Sequence, residues 1–243
     1  MALAEPHVEP HVEAIAEPAG GRDQQLAALI GARQRVTPLV LARERSLPVL
    51  AALESLLPDG LRRGSTLTVE GGAGATTLAL AIVAAASAAG SWTAVVGAPS
   101  LGFLTAAEVG IAPERLLVIA EPPRDAWSTV VAALVDAVDL VLVSARRVAA
   151  PDARRLAARA RERGAILVAL PRAGAAWWPV GPDVRLRVGP ASWTGPEGGG
   201  AGRLVARRAE VLAGGRGAAA RERRATLWLP GPDGAVIEGD ART

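Results

Sequence analysis

Between Ser65 and Leu170 the chain alternates five short apolar runs with amphipathic or alanine-rich stretches, and this regularity constrains the fold more than any other feature. The runs Ser65–Glu70, Trp92–Gly97, Arg115–Ala120, Asp139–Ser144 and Ala165–Leu170 show no polar alternation. That pattern predicts parallel strands covered on both faces. Between them, Thr76–Ala89, Phe103–Val109, Arg124–Val138 and Pro151–Arg163 read as helices. In the last of these, Ala153, Leu156, Ala157 and Ala160 share one face, five arginines point outward, and Gly164 supplies the stop. Repeated βα units predict an α/β fold: a doubly wound, mainly parallel sheet flanked by helices with right-handed crossovers.

Beyond Pro171 the pattern changes. Asp183–Val188, Arg203–Leu212 and Arg223–Leu229 alternate apolar residues with arginine, so they read as strands with one wet face that extend one edge of the sheet antiparallel. Gly195–Gly202 and Gly214–Gly217 are flexible connections. At the other end, residues 1–20 repeat Glu-Pro-His-Val and read as a disordered acidic tail. His7 and His11 have no third ligand nearby, and the prolines oppose the helix that would align them, so no metal site is expected. Residues 21–60 form an N-terminal helical segment, with helices at Arg22–Arg35 and Leu47–Leu57. Residues 61–190 form the core, and 191–243 the basic edge strands and tail.

Composition removes whole classes of chemistry. There is no cysteine, which excludes disulfides, thiolate metal sites and cysteine nucleophiles. All 27 basic residues are arginine, so there is no Schiff-base lysine and no phosphate-loop lysine. Charge is uneven: residues 51–150 hold 6 arginines against 9 acidic residues, while residues 151–243 hold 16 against 9. A basic final third suits an acidic partner or nucleic acid, and arginines on a solvated face account for it equally well. The start lacks the features of a secretory signal, and Thr77–Gly90 is too short to span a bilayer, so a cytoplasmic chain without membrane contact is expected.

In a sheet of this kind the first strand-to-helix turn is the natural anion site, because helix amides and the helix dipole converge there. Here it reads Val69-Glu70-Gly71-Gly72-Ala73-Gly74-Ala75-Thr76-Thr77. In a working GxxxxGK[ST] loop, lysine reaches the outer phosphates and the hydroxyl binds magnesium. Gly74 and Thr76 stand where the second glycine and the hydroxyl belong, but Ala75 holds the lysine position and Val69 or Glu70 the first glycine.

The segments Gly60-Leu61-Arg62-Arg63-Gly64, then Gly74-Ala75-Thr76-Thr77-Leu78-Ala79-Leu80, resemble the start of the ATPase core of RecA-type recombinases. Val95–Pro99, Val109–Val118 and Val138–Ser144 resemble that family's following strands in order, and the likeness covers roughly residues 45–230. The resemblance places the Walker A lysine at Ala75, the Walker B aspartate at Ser144 and the catalytic glutamate at or near Pro99. None of the three supplies charge or a metal ligand, which implies a pseudo-ATPase that needs no cofactor. Gly71, Gly72, Gly74, Ala75, Thr76, Thr77 and Ser144 then form a vestigial nucleotide site.

The DNA-binding loops of a recombinase are also reduced, to Ala145–Ala150 and Pro171–Pro182. The second holds Trp177-Trp178, which can stack bases or anchor a protein; the alternative is that one ring packs on the sheet edge and the other is half exposed. Trp92, Trp127, Trp193 and Trp228 read as core or edge packing. Arg207, Arg208, Arg223 and Arg224 are candidate partner or nucleic-acid contacts.

Within RecA-like proteins the chain most resembles the ImuA and ImuA-prime type. That resemblance implies a damage-induced accessory protein of translesion synthesis in the SOS response, partnering an inactive Y-family polymerase homologue and an error-prone replicative-type polymerase. The alternatives are a SulA-type division inhibitor on the same fold, or a DNA-binding protein with residual nucleotide binding.

Overall fold

The computed structural model describes residues 46–98, 101–145, 148–171, 178–195 and 202–239. Strands β1 (Ser46–Leu47) and β2 (Leu61–Arg62) pair antiparallel in a small ribbon. Then come β3 (Thr66–Gly71), α1 (Ala75–Ala88), β4 (Thr93–Val96), α2 (Phe103–Glu108), β5 (Leu116–Ile119), α3 (Trp127–Ala137), β6 (Leu140–Ala145), α4 (Ala150–Arg163) and β7 (Ile166–Pro171). Four further strands follow: β8 (Val184–Thr194), β9 (Ala206–Gly215), β10 (Arg223–Trp228) and β11 (Ile237–Glu238). The main sheet has nine strands in the order β11-β10-β9-β8-β3-β7-β6-β4-β5.

Strands β3 to β8 are parallel wherever they pair. Successive residues feed opposite layers, as the pleat requires. In β6, Leu140 and Leu142 pack with α1, whereas Val141 and Val143 pack with α3 and α4. Their burial explains the unbroken apolar runs, since neither face meets water. Helix α1 is covered almost all round, with Leu78 through Ala84 at most 1% exposed. An apolar helix of this kind belongs in a protein core. Among the described residues no helix is long and apolar enough to cross a membrane.

Two expectations need correction. Leu47–Leu57 is not an α-helix. Leu47 precedes Pro48, which disfavours helical backbone before it, and the segment makes β1 and a single 3-10 turn at Ala51–Leu53 that still buries Leu53, Leu56 and Leu57. The expected Arg22–Arg35 helix and the residue 1–20 tail lie outside the described residues. The second correction concerns β8, which runs parallel to β3, Leu67 facing Val184 and Gly71 facing Val188. Antiparallel pairing begins only with β9, and a bulge between Val188 and Ala191 carries β8 on to Thr194.

Helices α3 and α4 are clamped by Asp136, which accepts hydrogen bonds from Arg159 and lies 3.1 Å from the Arg163 guanidinium. The Arg159 hydrogen bond, with the charges of Arg159 and Arg163, outweighs desolvation and holds the Asp136 carboxyl below its ordinary value. A carboxyl depressed in the folded state contributes stability above its unfolded pKa of about 4, and the contribution is lost as pH falls through the lower folded value. Asp136→Asn is therefore expected to lower the urea midpoint slightly at pH 7, and the difference from the parent should shrink as pH falls through the folded value. The effect is small because the pair is solvent-exposed.

Candidate functional site

At the carboxyl end of the parallel strands, β3 stops at Gly71 and α1 begins four residues later, so the turn is short and tightly held. Gly71 has φ of +116°, and a Cβ there would lie 2.3 Å from the Val188 carbonyl oxygen of β8. Only glycine lets the neighbouring strand approach so closely. The Ala75 N–H bonds the Gly72 carbonyl (3.2 Å) and the Leu78 N–H bonds the Gly74 carbonyl (2.8 Å). Gly74 is the N-cap of α1 and no side chain caps the first turn. Ala75 is 6% exposed, Thr76 is exposed and Thr77 half-buried.

Ser144 lies at the same end, on β6 opposite Leu170, and is 7% exposed. Gly71, Gly72, Gly74, Ala75, Thr76 and Thr77 are thus at the same end of the sheet as Ser144, while Pro99 lies outside the described residues. The carboxylate next to the turn, Glu70, is engaged: it accepts from Thr68 Oγ1 and is 3.1 Å from Arg185 Nε. Among the described residues no three of His, Asp and Glu stand close enough to hold a metal ion. Among the described residues the turn and Ser144 offer the hydroxyls of Thr76, Thr77 and Ser144, and the adjacent carboxylate, Glu70, is held by Thr68 and Arg185. This donor set does not fit a magnesium nucleotide.

A cation arrives here from Arg207, which the sequence places among candidate partner or nucleic-acid contacts and not at this turn. Arg207 of β9 donates from its terminal nitrogen to Thr77 Oγ1 at 3.2 Å, and its guanidinium carbon lies 4.7 Å from the centre of the Trp193 ring. Arg207 Nε is fully buried without a hydrogen-bond partner, and burial pulls the guanidinium down from its ordinary value. Arg207 and Trp193 face each other across the β8–β9 pair. The hairpin therefore carries a stacked Arg–Trp pair past β3 and over the first turn of α1. Trp193 is 41% exposed rather than a core residue, and Leu204 and Val205 beside it are exposed too.

The other candidate contacts do not form one patch. Arg207 and Arg223 share the core-facing rows with Ala209 and Ala225, but at opposite ends of the wing. Arg208 and Arg224 point to the other face, where Arg224 pairs with Glu210 at 2.7 Å. Of the two readings of Trp177-Trp178, Trp178 takes the packed one: it is 6% exposed, in the layer of α3 and α4, and is not available for base stacking. Trp177 lies outside the described residues.

Comparison with known proteins agrees with this architecture. The family model of the MT3502 N-terminal domain matches residues 55–179. The uncharacterized protein Rv3395c of Mycobacterium tuberculosis is 43% identical over 97 residues, which are 39% of this chain and 47% of that protein. The match thus spans about half the length of this curated relative. The crystal structure of the RadB recombinase superposes with a TM-score of 0.55 at 16% identity, covering 78% of this chain and 97% of that one. At that identity the likeness shows the fold, which is RecA-like.

Proposed function

The chain belongs to the MT3502 N-terminal domain family, and from that premise we propose that it is a non-catalytic, RecA-like accessory protein of DNA damage tolerance, of the ImuA type, that works by holding polymerase-type partners. One observation carries the non-catalytic part. Where the fold's phosphate-binding ammonium would begin, the Ala75 methyl is buried, and the cation that does reach the turn, Arg207, is spent on Thr77 and Trp193. Phosphoryl transfer needs charge and metal positioned together, and Ser144 supplies neither. The accessory role and the polymerase partners rest on the sequence resemblance.

A second reading draws on the same residue: Arg207 gives the turn a positive charge, as a residual nucleotide switch would require. The two readings separate by experiment. With the purified protein, magnesium-ATP is expected to give no phosphate release above buffer and no change in tryptophan fluorescence. Turnover that disappears in Thr76→Ala would overturn the non-catalytic reading. Affinity purification after DNA damage tests the partner class. Translesion polymerases are the expected co-purifying proteins, and recovery of only a division protein would move the chain to the SulA-type alternative.

A further inference from the structure

At the opposite end of the sheet from the α1 turn, a cavity of about 90 Å³ opens to solvent between β2, the start of β8 and the start of β10. Its floor is core: Leu56 and Leu61 are 1% exposed, and Leu57 and Val184 stand beside them. An enclosed apolar cavity of about 150 Å³ takes benzene, so this smaller slot suits one branched aliphatic side chain. Arg62, Arg223 and Asp59 also line it. Arg216 and Asp183 complete the charged lining and offset each other as an ion pair at 3.4 Å, Arg216 also donating to the Gly181 carbonyl at 2.7 Å, which leaves Asp59 as the remaining carboxylate. Among the described residues neither Arg62 nor Arg223 has a carboxylate partner. Arg223's one side-chain bond is to the Arg221 carbonyl at 3.5 Å. Two uncompensated guanidiniums against one carboxylate favour an incoming group of negative sign.

We propose that this end of the sheet is a docking site for an acidic, extended segment of a partner protein, which inserts one branched aliphatic side chain into the slot and rests a flanking carboxylate on Arg62 and Arg223. An apolar anchor in a preformed pocket, rimmed by charge that sets specificity, is the arrangement by which few residues dominate an interface. The inference rests on the reading of the chain as a partner-binding protein and names a surface for it.

The test uses ¹⁵N-labelled full-length protein and a synthetic acidic pentapeptide with a central leucine. Shifts are expected at the amides of Leu57, Gly60, Leu61 and Val184. A central alanine should weaken binding about ten- to a hundredfold, the factor that corresponds to burying a leucine side chain. Arg62→Glu with Arg223→Glu should abolish the shifts, and so should Ala219→Phe, which fills the slot, with melting temperatures retained. A flat titration overturns the proposal, as do equal shifts from the alanine peptide or from a lysine-flanked one. So do tighter binding of a single-stranded oligonucleotide, or self-association lost in the double-Glu variant, which would make the occupant a second copy. ATP turnover would sink the non-catalytic reading without moving these shifts, and a flat titration would leave the turnover result standing.

Discussion

Replacing Gly97 by alanine is expected to cost about 3 kcal/mol of stability, as a drop in urea midpoint with unchanged slope. Gly97 follows β4 with φ of +78°, and its N–H bonds the Ile119 carbonyl at 2.9 Å, which fixes it beside β5. A Cβ there would lie 2.1 Å from the Ser144 carbonyl oxygen and 3.2 Å from its carbon. Left-handed backbone costs a residue with a Cβ about 1–2 kcal/mol, and forcing strand β6 aside adds an overpacking cost of about 1–3 kcal/mol. Gly72, in the turn before α1, supplies the control: a Cβ there meets no atom within 4 Å, so Gly72→Ala should leave the midpoint nearly unchanged. A Gly97→Ala variant as stable as the parent would mean that β4 and β6 are not packed this closely around Ser144.

Most of the parallel core was legible because each element is a single uninterrupted pattern. Thr76–Ala89 was read as a helix where α1 runs Ala75–Ala88, and Pro151–Arg163 where α4 runs Ala150–Arg163. The edge was less legible for a physical reason. A strand with one wet face looks the same whether its neighbour is parallel or antiparallel, so the direction of β8 was invisible until its register with β3 was known. The bulge between Val188 and Ala191 shifts the alternation as well and carries Trp193 out over the α1 turn. The split of Arg207 from Arg208 did have a signal. Adjacent strand residues point to opposite faces, so a pair read as one contact surface had to divide, with Arg207 turned to Thr77. Ala75 stands out because the loop motif is incomplete there, which sequence shows directly, whereas Ser144 was singled out only through the family resemblance. The Arg62–Arg223 slot joins residues 161 positions apart, and no local pattern announces it.

Asp183→Ala is expected to cost about 2 kcal/mol and to loosen the parallel start of β8. Asp183 ties three strands at one point. Its N–H bonds the Thr66 carbonyl at 2.8 Å, its carboxylate accepts from the Thr66 N–H at 2.9 Å, and its carbonyl accepts from the Arg216 N–H at 3.0 Å just past β9. Thr66 is 4% exposed, so removing the carboxylate leaves a buried donor unmade, which costs about 1–3 kcal/mol. The Arg216 ion pair, 3.4 Å long on a side chain 62% exposed, contributes little beside that. Asp183→Asn separates the two terms, because an amide oxygen still accepts from Thr66 while the charge facing Arg216 is gone. It should retain most of the stability that alanine loses, with the Thr66 amide still slow in hydrogen exchange. If asparagine proves as costly as alanine, the charge on Arg216 is what holds β8 parallel to β3. The slot beside Asp183 would then depend on that pair for its shape.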